Sequence, residues 1–311
     1  MYQDKKVLLI AGGGTLGTYV GQELLRKGCF VDVVCLNDPV CDNERIHYIK
    51  ANADLDFLKR HLRDNRYDGI VNFIHYPDVA VYKPIHQLLS ASAEHLIFLS
   101  SYRIYADTPD PITEETPKLL DASQDADFLR DKTYYALAKA VAEQYLRNES
   151  NTVNWTAVRP VISFSSTRLD VVTQSGRRVI DCAKSGDVLE LPLGARERTA
   201  GLDWAGNSGK LIANLLFKEQ AYGQSYTISS GQNLTWGQVA EIYQELTGVN
   251  IAWIDTQTYL EKYHKNDPYI LLYDRLLDRK IDNSKVLQAT GLSQKDFLSI
   301  REGIQIELNK L

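Results

Sequence analysis

Tyr135 and Lys139 stand four residues apart in a segment, residues 132–147, built largely of helix formers. On a helix that spacing puts both side chains on one face. A tyrosine of ordinary pKa, about 10, is a poor base at neutral pH. An ammonium one turn away favours its phenolate and makes it usable as a proton donor and acceptor. Asp131 is placed to cap this helix. Taken alone, the pair is equally well explained as two common residues that fall four apart. Ser100 and Ser101 add weight, because they close the apolar run 95–100. A serine there could hydrogen-bond the same substrate oxygen as Tyr135.

A second cluster, Ala11-Gly12-Gly13-Gly14-Thr15-Leu16-Gly17, lies between the apolar run 7–11 and the amphipathic stretch 16–27. Glycines let the chain turn sharply and let a pyrophosphate approach backbone N–H groups, and a helix N-terminus adds partial positive charge. The strand–turn–helix context is the one a dinucleotide fingerprint requires. The alternative is a tight turn with no ligand. A P-loop is excluded, because no Gly-Lys-Ser/Thr follows. Asn37, with Asp38 beside it, ends the second strand, where an acid would hold the adenine ribose and a basic residue the 2′-phosphate of NADP. The nearest basic residue downstream is Arg45. This favours NAD over NADP, unless the Asn-Asp pair is simply a polar turn. A cationic nicotinamide near Tyr135 would favour the phenolate further.

The elements that must position these residues follow from periodicity. Strands are predicted at 7–11, 30–36, 46–50, 69–74, 95–100, 155–159 and 225–229. Helices are predicted at 16–27, 54–64, 78–90, 132–147, 167–185, 205–218 and 235–247. Strand–helix alternation in the first half predicts a doubly wound parallel sheet in an α/β fold, with a smaller C-terminal α/β substrate-binding lobe. Residues 1–165, with 200–230 returning to them, form the expected dinucleotide-binding domain, and 166–199 with 231–311 the substrate-binding lobe. Residues 108–131, rich in Pro, Asp, Glu and Thr, interrupt the alternation after the fifth strand. They read as an active-site loop or as a disordered surface insertion.

The 311 residues are 44% hydrophobic and 24% charged, with a net charge of -5. That balance suits a soluble globular protein and argues against a nucleic-acid surface. No apolar run approaches the roughly 18 residues of a membrane span. The run 7–11 is too short to be a signal peptide, so a cytoplasmic protein is expected. Cys29, Cys35, Cys41 and Cys182 form neither a disulfide framework nor a metal-ligand spacing.

These pieces together resemble the extended short-chain dehydrogenase/reductase family, the NAD-dependent sugar-nucleotide epimerases and dehydratases of Rossmann fold. The matching stretches are the glycine cluster, Phe98-Leu-Ser-Ser-Tyr-Arg-Ile-Tyr105, Tyr135-xxx-Lys139, Arg159-Pro160, Arg196-Glu-Arg-Thr-Ala-Gly-Leu-Asp203 and Tyr226-Thr-Ile-Ser-Ser-Gly231. The resemblance implies a catalytic set of Ser101, Tyr135 and Lys139. It implies cofactor contacts from Gly12, Gly14, Thr15, Leu16, Asn37, Asn52, Phe73, Ile74, Tyr135, Lys139 and Pro160. Ser101, Tyr102 and Arg196 would meet the substrate, with Arg196 on the nucleotide-sugar diphosphate. Arg198 could assist it, and Arg103 could reach a substrate phosphate. No metal is expected. Departures are visible too. Ala11 replaces the first fingerprint glycine, an exchange that holds if the position needs no positive φ. Asn stands for the usual acid at 37 and 52. The 34-residue interval from Ser101 to Tyr135 is longer than usual in the family.

The resemblance also discriminates among reactions. Dehydratases place an Asp-Glu pair after the Ser/Thr, and here those positions hold Tyr102 and Arg103. A nucleotide-sugar epimerase is the expectation, with a 4-ketoreductase or a non-catalytic dinucleotide-binding protein as alternatives. Leu137, Val141 and Tyr145 form a stripe that would serve internal packing or a homodimer. His75 reads as a hydrogen-bonded loop histidine. The aromatics of 259–273 read as a C-terminal core.

Overall fold

The computed structural model describes residues 1–37, 41, 43–130 and 134–311. The expectations placed on Asp38 and Asp131 lie outside the described residues. The N-terminal half runs β1 (Lys6–Ile10), α1 (Thr15–Arg26), β2 (Phe30–Cys35), β3 (Ile46–Lys50), α2 (Leu55–Asp64), β4 (Gly69–Asn72), α3 (Val79–Ser92) and β5 (His95–Leu99). Two short helices, α4 (Leu119–Ala122) and α5 (Ala126–Arg130), precede α6 (Tyr135–Asn148) and β6 (Trp155–Pro160). Then come β7 (Ile162–Phe164), α7 (Gly176–Ser185), β8 (Val188–Pro192), β9 (Leu202–Trp204), α8 (Ala205–Leu215) and β10 (Gln224–Ile228). The chain ends with α9 (Trp236–Thr247), β11 (Asn250–Ile254), α10 (Thr256–Tyr263), α11 (Ser284–Thr290) and α12 (Ile300–Leu308).

Seven strands form one parallel sheet in the order β10-β6-β5-β4-β1-β2-β3. Val7, Leu8, Leu9 and Ile10 of β1 are all fully buried. An unbroken apolar run of this kind is what a strand covered on both faces requires. One face packs on α1, α8 and α11 through Val20, Leu24, Leu211 and Val286. The other packs on α2, α3 and α6 through Leu58, Leu89 and Leu146. This is the doubly wound α/β fold. The strand order reverses beside β1, so a crevice opens beyond the carboxyl ends of β1 and β4. A separate core, including Trp236, Tyr243 and Tyr259, fills the C-terminal lobe, where β8 pairs with β11.

Three expectations need correction. The helix of 167–185 begins only at Gly176, because Ser165–Arg168 and Val171–Gln174 form antiparallel bridges and Val172 has φ 53°. The β-branched run Val171-Val172-Thr173 disfavours helix there. The helix carrying Tyr135 begins at Tyr135 itself, after Tyr134 as N-cap. Of the two readings of 108–131, the disordered insertion is the one overturned: among its described residues the segment is folded. Glu114 accepts from the Thr227 N–H at 2.6 Å, and Phe128 stacks on Tyr273 at 3.9 Å. Within the expected stripe, Leu137 and Tyr145 are buried in the chain's own cores. Among the described residues no helix is long and apolar enough to cross a membrane, and no three His, Cys, Asp or Glu side chains cluster to hold a metal.

Candidate active site

The turn after β1 is shaped by close packing. A Cβ on Gly17 would lie 2.3 Å from the Gly12 carbonyl oxygen, so α1 can approach the turn only because position 17 has no side chain. Gly12 faces inward, against Leu9 and Val33. Gly14 differs, because a Cβ there meets nothing within 4 Å. It is the N-cap of α1, with no side-chain cap bond and no acid in the first turn, so the helix's N-terminal N–H groups face open space. Ala11 adopts φ 57°, in the left-handed region. The exchange at the first fingerprint position therefore falls where positive φ is required, at a cost of about 1–2 kcal/mol.

Beside this turn a cleft of about 380 Å³ is lined by Ala11, Gly13, Gly14, Cys35, Asn37, Asn52 and Ile74, among others. Its apolar walls, its amide side chains and the bare helix end fit an adenosine diphosphate moiety. Phe73 lies outside the lining, and its N–H donates to the Ile10 carbonyl. Arg45 is tied to Asp4 and to the Gly28 carbonyl, also away from this cleft.

A second cleft, about 460 Å³, brings together Thr15, Leu16, Ser101, Tyr102, Arg103, Tyr135, Pro160, Ser163 and Arg168, with Leu99, Val161 and Ile162 completing the wall. Thr15 and Leu16 begin α1, so this cleft continues from the glycine turn. β5 delivers Ser101, which caps the short turn Tyr102–Ile104 by accepting from the Arg103 N–H at 3.2 Å. α6 delivers Tyr135 at its first turn and Lys139 one turn on. Further along α6, buried Glu143 holds buried Arg159 of β6 through Nε at 2.9 Å and Nη2 at 2.5 Å, fixing helix to sheet.

Burial raises the Tyr135 pKa. Arg103, a hydrogen bond with Ser101, and Arg168 act against that rise. The Arg103 guanidinium carbon lies 5.2 Å from the Tyr135 ring centre. Lys139 is buried, and its ammonium donates to the carbonyls of Ile74 at 3.0 Å and Leu99 at 2.5 Å. Burial lowers its pKa to about 7, with Glu143 pulling the other way. His75 packs on Tyr135 at 4.8 Å, and burial, helped by Lys139, holds its pKa down to about 4, so it is neutral at pH 7. Its Nδ1 is buried and has no partner among the described residues.

Arg196 and Arg198 are exposed and do not line the cleft; Arg196 Nε lies 3.7 Å from Glu197. The cleft cation that sequence reasoning missed is Arg168, which sits on the bridged turn misread as helix. Thr15 Oγ1 meets Ser165 Oγ and Thr167 Oγ1, each at 3.0 Å, and so ties that turn to the start of α1.

No curated protein sequence matches the chain. Among solved structures, an epimerase of Methanothermobacter thermautotrophicus is similar with TM-score 0.73 at 16% identity, over 99% of this chain and 92% of that one. The UDP-glucose 4-epimerase of Thermus thermophilus, solved with NAD, gives TM-score 0.66 at 17% identity, over 98% of each chain. The UDP-N-acetylglucosamine 4-epimerase of Bacillus cereus gives 0.69 at 17% identity, over 98% of this chain and 99% of that one. At these identities the likeness is one of fold. Residues 8–198 match the sequence profile of the NAD dependent epimerase/dehydratase family. The chain belongs to that family of enzymes.

Proposed function

We propose that the protein is an NAD-dependent epimerase of a nucleotide-diphosphate sugar, with Tyr135 as its proton donor and acceptor. The observation that carries this reading is a single cleft in which the start of α1 meets Ser101 and Tyr135. Residues 1–165 with 200–230 serve as the dinucleotide-binding domain, and 166–199 with 231–311 as the substrate lobe. Gly14, Thr15 and Leu16 would hold the cofactor's diphosphate, and Asn37, Asn52 and Ile74 its adenosine. NAD fits better than NADP, because the described lining of the adenosine cleft contains no basic side chain. When bound, NAD supplies reversible hydride acceptance.

The chain's own residues handle the proton. Tyr135 takes it from a sugar hydroxyl as that carbon becomes a carbonyl, and returns it when the hydroxyl re-forms on the other face. Ser101 hydrogen-bonds the same oxygen. The positive charges of Arg103 and Arg168 offset the burial that disfavours the phenolate. Arg168 in the cleft and Arg196 outside it are the candidates for the substrate diphosphate.

The test is proton NMR of nucleotide sugars incubated in D₂O with enzyme and catalytic NAD. Inversion at one carbon with its hydrogen retained supports the epimerase. Stoichiometric consumption of NADH or NADPH by a keto sugar, without inversion, would replace it with a reductase. NAD binding with neither reaction would point to a non-catalytic protein.

A further inference from the structure

Three guanidinium groups converge on one buried carboxylate beside the Tyr135 cleft. Asp274 Oδ1 accepts from the Tyr102 hydroxyl at 2.6 Å and from Arg279 at 3.0 Å. Its Oδ2 accepts from Arg275 and lies 3.1 Å from Arg103 Nε. One negative charge against three positive ones leaves a surplus of two positive charges. Arg275 and Arg279 lie inside the lobe and outside the cleft lining, although Arg279 Nε, like that of Arg103, is buried without a hydrogen bond among the described residues. They donate to the carbonyls of Val172 and Tyr273 and lie against the rings of Trp236 and Tyr102.

Arg103 is different. It is the member of this trio that lines the cleft with Ser101 and Tyr135. Its Nη2 donates to the Tyr134 hydroxyl at 2.8 Å, but its Nε is buried without a hydrogen bond among the described residues. Arg168, the other cation in the described lining, pairs with Asp170, and no carboxylate is among the described lining residues. A partly desolvated cation that its own fold leaves in surplus is costly until an anion meets it. The guanidinium fork matches a carboxylate.

We infer that the cleft takes a sugar bearing a carboxylate, a uronic acid, with Arg103 as the residue that selects it. The inference rests on the nucleotide-sugar reading above and narrows its substrate class. Arg103 donates its own N–H to Ser101 and its guanidinium lies over the Tyr135 ring, so the anion it meets is on the sugar. A diphosphate lies at the other end of such a substrate.

Calorimetric titration of the NAD-loaded protein with UDP, UDP-glucose and UDP-glucuronic acid tests this. UDP-glucuronic acid should bind at least about tenfold more tightly than UDP-glucose, as one charge-assisted contact provides. In Arg103→Met that ratio should fall to near one, and Arg103→Lys should fall between. The variants are judged beside their thermal unfolding and NAD affinity, since Arg103 also touches Asp274. The wild-type ratio is a test that needs no variant. A wild-type ratio near one, with UDP and UDP-glucose bound, would overturn this inference alone. So would an Arg103→Met that weakens UDP as much as UDP-glucuronic acid, because it would put Arg103 on the diphosphate. Failure of all three ligands, and of the corresponding dTDP- and GDP-sugars, to bind would overturn the nucleotide-sugar reading as well.

Discussion

Lys139 Nζ lies 5.8 Å from the centre of the Tyr135 ring, one turn along the same helix. Burial holds that ammonium out of water and lowers its pKa from 10.5 to about 7, against the pull of Glu143. Between pH 7 and 10 the unfolded chain therefore carries a proton here that the folded chain lacks, and stability contributed by this group rises with pH across that window. Lys139→Met has no such group. From pH 7 to 9 the wild type should gain about 1–2 kcal/mol on this variant in urea unfolding. Parallel stability curves would mean that the lysine is not held as described.

Tyr135→Phe keeps the ring that packs on His75 and removes the hydroxyl. Turnover should fall at least about a hundredfold, the lower range for lost acid–base catalysis, while NAD still binds. Unchanged turnover would remove Tyr135 from the chemistry.

The two helix-start glycines should separate folding from binding. Gly14→Ala meets open space, so its Tm should stay close to wild type, while NAD affinity falls at least about tenfold as the methyl enters the phosphate site. Gly17→Ala drives a methyl into the Gly12 carbonyl and should cost about 1–3 kcal/mol or more. Equal Tm values for the two variants would contradict this division, as would an unaltered NAD affinity for Gly14→Ala.

Ala11 in the left-handed region suggests an opposite change. Ala11→Gly relieves about 1–2 kcal/mol of backbone strain and gives back part of it through the freer unfolded chain, for a net gain of about 0.5–1 kcal/mol. Calorimetry should show a higher Tm; a lower one would mean that the residue sits there without strain.

What could be read along the chain is what short-range physics decides. Gly12 and Gly17 clash or fit within five residues of each other, and Tyr135 and Lys139 share a face because the helix period requires it. The sheet followed from apolar runs such as Val7–Ile10 of β1. Arg103 and Asp274 meet across 171 positions, and no local pattern announces such a pair. Arg168 was lost for a related reason. Its turn is set by bridges and by hydroxyl contacts to Thr15 rather than by its own periodicity. The folded state of 106–130 was equally hidden, because its polar composition conceals the few residues that anchor it, Glu114 and Phe128.

The seventh strand carries a consequence for synthesis. β10 pairs with β6 only after 63 residues of intervening chain, and α8, which covers Val71, Ile97 and Val158, is made late in that interval. A chain emerging from the ribosome therefore completes β1 to β6 with one apolar face of the sheet still uncovered beside α1. It becomes sticky at that length and stays so until residue 215 is out. Premature termination between residues 160 and 205 should yield aggregates rather than a free N-terminal half, although the residues proposed to hold the cofactor would already have been translated.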